Sequence, residues 1–259
     1  AGATVALIDA ASADGTAAAV QGEFPHVRLL SVSADHWWTG AIAHGMRAAA
    51  AAGAPAVLWL NDDCLPDSGC VALLLAGATA RSPVILGATC RDDLDRPVES
   101  AFVGRKPLSA PPSEVANAEV SGLSGFCVAV PRAAWIKLGF PDARRFPHYA
   151  GDTAYTIAAS RAGMPVRLSG NATARLSPYH ERAHTIGDFL RRQPVRARTW
   201  GAVFLGHGSP FRAATQLHYL RLRYGTIAGT VLAAARIGIW QLAFIAAAKG
   251  EARGSATGP

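Results

Sequence analysis

The stretch VLWLNDDCLP, Val57–Pro66, decides the fold. Its first four residues are apolar without a helical period, and a short apolar run bounded by a turn is typical of a buried strand. Asn61, Asp62 and Asp63 follow with no spacer, so two carboxylates that repel each other arrive together at the strand end. Either these residues start the following turn, or they bind a divalent cation. The stretch alone leaves both explanations open.

Strand and helix signals alternate on both sides of this stretch. Two predicted strands precede it, ATVALIDA (3–10) and HVRLLSV (26–32), together with an alanine-rich helix at Ala41–Ala54. A predicted helix, CVALLLAGATA, and a further strand, PVILGATC, follow it. This alternation predicts an α/β sandwich with a mostly parallel central sheet. Ligands of such sheets bind beyond the carboxyl ends of the strands, where Asp9 and the Asn61–Asp63 cluster lie.

The alternation is interrupted between residues 91 and 120. Charges, prolines and small residues follow no period there, which predicts a loop or irregular strands. Regular structure returns with a predicted strand at Phe126–Val130, a short helix at Arg132–Leu138 and a helix that begins near Asp152. We predict that residues 1–180 form one domain.

The positive charge of the chain is concentrated in its second part. The formal net charge is +7, and the stretch from Arg182 to Arg236 contains many arginines and a single acidic residue, Asp188. Such a basic segment favours a membrane surface or a nucleic acid as partner, or it is a solvated face. Because no helix-turn-helix or RNA-binding motif accompanies the charge, we do not expect a nucleic acid partner.

Two classes of site are disfavoured by the sequence. The four cysteines form no CxxC pair and have no matching histidine spacing, so a zinc site is not expected and a reduced, cytosolic compartment fits best. No GxGxxG motif follows the first predicted strand, which disfavours a dinucleotide-dependent oxidoreductase.

Four segments resemble, in order and spacing, the motifs of the family-2 inverting glycosyltransferases. VALIDAASADGT (5–16) resembles the second-strand motif, and DHWWTGAIAHGMRAA (35–49) resembles the segment in which tryptophan and glycine precede a helix. VLWLNDDCLP resembles the Asp-x-Asp metal motif in an Asn-x-Asp variant. FPHYAGDTAYTIAASRAGMPV (146–166) resembles the segment that carries the catalytic base. The matches cover roughly residues 3 to 177.

The resemblance implies a role for each matching residue. It makes Asp152 the general base, although the sequence pattern alone also fits a helix N-cap at this position. It places His148 and Tyr149 at the acceptor site. The implied donor-binding residues are Asp9, Trp38, Asp62 and Asp63. The implied ligands of a Mg²⁺ or Mn²⁺ ion on the donor diphosphate are Asp63, Asn61 and His180.

The resemblance also implies an activity and a fold. It predicts an inverting, metal-dependent glycosyltransferase of the GT-A type that moves a sugar from a nucleotide-sugar donor to a cell-envelope polysaccharide or a lipid-linked acceptor, with rhamnosyl transfer as the first subtype. The matches begin at what the family uses as its second strand. We therefore expect the first strand to be missing and its place between the Asp9 and Asp63 strands to stay open. The alternative is a catalytically inactive, glycosyltransferase-like binding or scaffold protein.

Residues 181–259 are predicted to form a basic and apolar helical extension. The stretch Thr226–Gly250 is long enough to span a bilayer, but Arg236 at its centre costs about 2.5–3.5 kcal/mol on insertion scales. We therefore favour a helix at the membrane interface, with a buried terminal helix as the alternative. This predicts a cytoplasmic protein held peripherally at the inner face of the cell membrane.

Overall fold

In the computed structural model, the chain divides into two units, Ala1–His180 and Glu181–Pro259. The structure describes residues 3–104, 106–108, 117–177, 185–193 and 198–255, with side chains up to residue 249. The two units are taken separately below.

The first unit begins with two strands and two helices. These are β1 (Ala6–Asp9), α1 (Thr16–Glu23), β2 (Arg28–Ser31) and α2 (Trp37–Ala51). Strands β1 and β2 pair in parallel, as the crossover through α1 requires. Helix α2 packs on β1 at Gly45, where a Cβ atom would lie 2.9 Å from Ile8 Cδ1. Helix α2 begins at Trp37, four residues before the start that the alanine run predicted, because the first turn is formed by WWTG.

The remaining elements of the first unit are β3 (Ala56–Leu60), β4 (Cys64–Pro66), α3 (Cys70–Thr79), β5 (Ile85–Arg91), β6 (Ala101–Val103), β7 (Lys106–Leu108), β8 (Ala118–Glu119), β9 (Gly122–Leu123), β10 (Cys127–Pro131), α4 (Arg132–Leu138), α5 (Gly151–Arg161) and β11 (Val166–Leu176). Six of these strands form the central sheet of the unit, in the order β3-β10-β5-β11-β4, with β8 paired to β11. The predicted strands and helices of this part are therefore present, with small shifts at their ends.

The central sheet is mixed, whereas the sequence predicted a mostly parallel one. Strand β10 runs antiparallel to both of its neighbours, β3 and β5, and β4 and β8 run antiparallel to β11. Strands β5 and β11 are parallel. The physical reason lies in the connection from β5 to β10. In its described residues this connection passes through the short strands β6 to β9 without a crossover helix, so β10 is free to enter the sheet in the opposite direction.

Both faces of the central sheet are buried, which explains the continuous apolar runs in its strands. On β10, Val128 and Val130 point into a core completed by α2, α4 and α5, whereas Cys127 and Ala129 point into a core completed by α3. All four cysteines are free and buried, and all four belong to the second core. There they pack as small apolar side chains.

The segment predicted as irregular contains a small second sheet. Strand β6 pairs antiparallel with β7 and with β9 to give the order β7-β6-β9. Each of these strands is only two or three residues long, which is why the sequence shows no period there. Residues 105 and 109–116 lie outside the described part of this segment.

Strands β1 and β3 belong to different sheets. Strand β1 is hydrogen-bonded to β2, and β3 is the terminal strand of the central sheet, bonded to β10. The described residues thus show no direct pairing of Val5–Ile8 with Val57–Leu60. A missing strand between them remains a prediction.

The second unit is helical. Its described helices are α6 (Ile186–Arg192), α7 (Trp200–Phe204), α8 (Ala213–Tyr224) and α9 (Thr226–Ser255). Its core contains Phe189, Phe204 and Phe211, and α9 packs Trp240 and Phe244 against that core. Contact between α8 and α9 is close at Gly229, where a Cβ atom would lie 2.4 Å from the carbonyl oxygen of Leu220.

Helix α9 is largely exposed. Among the described residues it is the one helix long and apolar enough to cross a membrane, at Thr226–Lys249, and only 6% of its most apolar window is buried. The buried terminal helix that the sequence left as an alternative is therefore wrong within this unit. One side of α9 packs on its neighbours, and the opposite side is uncovered.

Candidate active site

The carboxyl end of β3 and the start of α2 meet through a tryptophan. The indole N–H of Trp38 donates a hydrogen bond to Asn61 Oδ1 at 2.9 Å, and the Trp38 ring lies edge-on to Trp59 with ring centres 6.2 Å apart. Residues from two of the four predicted motifs are therefore in direct contact. Because Asn61 Oδ1 already accepts this bond, it is a weaker candidate metal ligand than the two carboxylates beside it.

Asp152, the predicted base, lies in the first turn of α5. Its Oδ2 accepts a hydrogen bond from the backbone N–H of Gly125 at 2.5 Å. Desolvation by burial raises the pKa of Asp152, and the hydrogen bonds from Thr153 and Gly125 oppose that rise only in part. A carboxylate with a raised pKa is a better proton acceptor than an exposed aspartate.

Gly125 allows Asp152 to approach Trp38. A Cβ atom on Gly125 would lie 2.6 Å from Asp152 Cβ, 2.9 Å from Asp152 Oδ2 and 3.0 Å from Trp38 Cη2. Such distances leave no room for a side chain. The backbone of Gly125 thus fits between the predicted base and the predicted donor-pocket tryptophan. Sequence reasoning did not assign a role to Gly125; the small-residue pattern SGLSG before β10 was the available signal.

The starts of α2 and α5 are also in direct contact. A Cβ atom on Gly151 would lie only 2.1 Å from Thr39 Oγ1, so this contact requires glycine. The backbone N–H of Thr39 donates to the carbonyl oxygen of Pro147 at 3.0 Å. These contacts hold the segment before Asp152 against the first turn of α2.

His148 and Tyr149, the predicted acceptor residues, lie in this segment. His148 Nδ1 accepts a hydrogen bond from the backbone N–H of Trp38 at 3.4 Å, and the His148 ring is 4.5 Å from that of Tyr149. Burial lowers the pKa of His148 and raises the pKa of Tyr149, so both side chains are neutral at pH 7. With Nδ1 as acceptor, the proton of the neutral His148 ring is on Nε2.

The two carboxylates after β3 differ in environment. Asp62 is exposed, whereas Asp63 is half-buried and its backbone carbonyl oxygen accepts a hydrogen bond from the N–H of Ser177 at 2.7 Å. Among the described residues, no three His, Cys, Asp or Glu side chains form a complete metal site. Asp62 and Asp63 nevertheless offer carboxylate oxygens, the type of ligand that Mg²⁺ and Mn²⁺ take together with water and substrate phosphates. The chemistry of these two side chains thus fits a cation shared with a diphosphate.

Asp9 and His180 are not joined to this group by the described contacts. Asp9 ends β1, is buried, and accepts a hydrogen bond from the backbone N–H of Ser12 through Oδ1 at 3.1 Å. Its predicted contact with a nucleotide stays a prediction. His180, predicted as a metal ligand, lies outside the residues that the structure describes.

Comparison with known proteins identifies the fold. GalNAc-T7 with UDP, GalNAc and Mn²⁺ has a TM-score of 0.52 at 14% identity, over 73% of this chain and 41% of that one. The mannosyltransferase PcManGT from Pyrobaculum calidifontis with GDP-Man and Mn²⁺ has a TM-score of 0.53 at 16% identity, over 98% of this chain and 66% of that one. TarS 1–349 from S. aureus has a TM-score of 0.52 at 12% identity, over 87% of this chain and 61% of that one.

The chain has a GT-A-type α/β fold. This confirms the predicted fold class and its C-terminal helical part. The chain spans between 41% and 66% of the length of these three proteins. No protein-family profile matches the chain, and no curated protein matches it. At such low identity the likeness concerns the fold, and the activity must be inferred from the site.

Proposed function

We propose that this protein is an inverting glycosyltransferase that uses a nucleotide-sugar donor. The observation that carries the proposal is the position of Asp152. In a GT-A-type fold, this carboxylate with a raised pKa is held by the N–H of Gly125, next to the tryptophan that contacts the end of β3. The proposal is supported by this basic carboxylate and by the carboxylates of Asp62 and Asp63, which follow the carboxyl end of β3, where ligands of α/β sheets bind.

The chemistry assigned to these residues is an in-line displacement at the anomeric carbon. The oxygen of the acceptor hydroxyl forms the new glycosidic bond while Asp152 takes the hydroxyl proton. At the same time the bond between the anomeric carbon and the donor diphosphate breaks. Asp63 and Asp62 would hold Mg²⁺ or Mn²⁺, and a bound cation supplies charge neutralisation for the leaving diphosphate. Mn²⁺ accompanies the nucleotide in two of the similar structures. Trp38 would line the donor pocket, and Asp9 would contact the nucleotide.

The finer assignments are part of the same proposal. The acceptor is a cell-envelope polysaccharide or a lipid-linked glycan, bound near His148 and Tyr149, and rhamnose is the first sugar to test. These assignments rest on the motifs of the sequence and on the position of His148 and Tyr149 before the base.

A panel of donors tests the proposal. UDP-, GDP- and dTDP-sugars are added to the full chain with Mn²⁺, and thermal shift and release of nucleoside diphosphate are measured. We expect at least one donor to raise the unfolding temperature and to be turned over slowly, by transfer to water, without an added acceptor. Failure of every donor to bind would reject the proposal. Binding without turnover, even with acceptor glycans present, would favour the catalytically inactive alternative.

We also propose that α9 lies at a membrane surface. Its exposed large apolar residues are Ile227, Val231, Leu232, Ile239, Leu242 and Ile245. At 3.6 residues per turn they fall within about 140° of the helix circumference. Arg236 lies outside this arc, at its border with the packed side, where its guanidinium is 3.3 Å from Gln216 Oε1 and packs on the Trp240 ring. Because the other side packs on its own unit, α9 offers lipid one apolar face, as an interfacial helix does.

Substitutions on the exposed face test this position without disturbing the core of the unit. Deleting α9 would uncover the core that Trp240 and Phe244 complete. We expect Ile239→Glu with Leu242→Glu to lower co-sedimentation with phosphatidylglycerol–phosphatidylethanolamine vesicles by about tenfold or more, since two apolar side chains lose burial in lipid. The matched control, Leu94→Glu with Ile136→Glu, changes two equally exposed apolar residues of the first unit. Wild-type protein that stays in the supernatant at low salt would contradict the proposal.

A further inference from the structure

Trp37 has a backbone conformation that side chains rarely adopt. Its φ is 49° and its ψ is −170°, close to a region that is populated almost only by glycine. Trp37 is also the first residue of α2, and 37% of its surface is exposed. Burial therefore does not explain why the chain accepts this strain. Strained residues of this kind cluster at ligand-binding sites, which makes the surroundings of Trp37 informative.

The neighbours of Trp37 are the residues that precede Asp152. Its ring lies against His148 with ring centres 5.7 Å apart, and His148 in turn contacts Tyr149. The hydrogen bonds from the N–H groups of Trp38 and Thr39 to His148 and Pro147 fix this arrangement. A second strained residue, Ala150 with φ of 65°, lies between Tyr149 and the start of α5. The strained residues Trp37 and Ala150 thus belong to or adjoin a group of three aromatic rings, two of which lie on the segment before Asp152.

The three rings form a surface that the core does not use. Trp38, Trp59 and Trp135 pack in the core of the first unit, whereas Trp37 and Tyr149 are 37% and 41% exposed. An exposed aromatic face binds the apolar C–H face of a pyranose ring, and neighbouring hydroxyl and imidazole N–H groups bind sugar hydroxyls. Tyr149 and the Nε2 proton of His148 supply such polar groups.

We propose that Trp37, His148 and Tyr149 form an aromatic platform for a pyranose ring of the acceptor, which makes the acceptor a glycan. In this platform the exposed Trp37 ring stacks on the sugar, and the inclined His148 and Tyr149 rings bind its hydroxyl groups at the edge. This inference rests on the proposed function. The platform is assigned to the acceptor because His148 and Tyr149 precede the base that must reach the acceptor hydroxyl. The proposed oxygen ligands for the donor diphosphate follow β3, whose end contacts the Trp38 indole through Asn61.

Two substitutions distinguish the contribution of the Trp37 ring from that of its backbone conformation. Trp37→Gly removes the ring and suits the positive φ, so the variant should fold at least as well as the wild type. Trp37→Phe keeps a flat aromatic face. The probe is a panel of di- to hexasaccharides built from hexoses, 6-deoxyhexoses and pentoses, titrated by saturation-transfer NMR against the full chain. Binding of Mn²⁺ with nucleoside diphosphates is measured on the same samples.

We expect at least one oligosaccharide to bind the wild type and Trp37→Phe, and to bind Trp37→Gly about tenfold more weakly. Nucleotide binding should be unchanged in both variants. Equal oligosaccharide affinity in Trp37→Gly would overturn the platform, as would a wild type that binds nucleotides but no member of the panel. A chain that binds glycans through Trp37 but no nucleotide would reject the proposed transferase and keep the platform.

Discussion

Asp152→Asn is expected to abolish turnover while donor binding and the fold are retained. The asparagine oxygen can still accept the Gly125 N–H, but an amide cannot take the proton of an acceptor hydroxyl. Loss of a general base lowers rates by about 10² to 10⁴-fold. The measurement is the release of nucleoside diphosphate from a donor that binds, compared with its dissociation constant for wild type and variant.

The pKa of Asp152 adds a stability readout to the same variant. Because burial raises this pKa in the folded state, the ionised carboxylate opposes folding at neutral pH. This cost starts to fall when the pH drops below the folded pKa and is gone below the unfolded pKa. Asp152→Asn should therefore unfold at the same or a higher temperature than the wild type at pH 7. In the wild type, the rate should fall on the acid side of the pH profile with an apparent pKa above the usual range of aspartate. A variant that turns over donor at near-normal rates would show that Asp152 is not the base.

Gly125→Ala should have the second-largest effect on turnover. The new methyl group would lie within 3 Å of Asp152 and Trp38, so the base must move or rotate. A displacement of about 1 Å in a catalytic group can cost about 10²-fold in rate. Overpacking of this kind costs about 1–3 kcal/mol of stability, which chemical denaturation would record. Turnover and unfolding are measured on the same samples, so that a loss of rate can be assigned to folded protein.

Gly22→Ala is the matched control for that substitution. Gly22 lies in α1, where a Cβ atom would meet no heavy atom within 4 Å. Its replacement should leave turnover unchanged and stability equal or slightly higher, because alanine is favoured over glycine in a helix. If Gly125→Ala behaves like this control, the close approach of Gly125 to Asp152 has no catalytic importance.

The apolar runs of the first unit were sufficient to predict β1, β2, β3, β5, β10 and most of the helices, whereas β4, β11 and the short strands β6 to β9 were not predicted. Val57–Leu60 and Cys127–Pro131 lie between two cores, so each is continuously apolar and short, which is the pattern the sequence showed. Strand direction was not predictable, because apolar pattern is the same for a strand running either way. The antiparallel entry of β10 follows from a connection that the sequence shows only as irregular.

The sequence predicted which residues belong to the candidate site, but it did not predict the contacts between them. Asn61 and Asp152 were placed at strand and helix ends by pattern, whereas the bond between Trp38 and Asn61 joins residues 23 apart in the chain. Gly125 and Gly151 act through the side chains they lack, and a sequence does not show what a missing side chain would meet. The strain at Trp37 is likewise a property of the contacts around it.

Calorimetric titration of a nucleotide-sugar donor, with Mn²⁺ and then with excess EDTA, tests the central claim most directly. Wild type, Asp63→Ala and Glu23→Ala are compared, with Glu23 as an exposed carboxylate at the end of α1. We predict that at least one of the UDP-, GDP- and dTDP-sugars binds to the wild type and to Glu23→Ala, and that this binding requires Mn²⁺. The affinity for Asp63→Ala should be at least about tenfold weaker. Donor binding that is indifferent to EDTA and to Asp63→Ala would contradict a metal-assisted donor site at the end of β3.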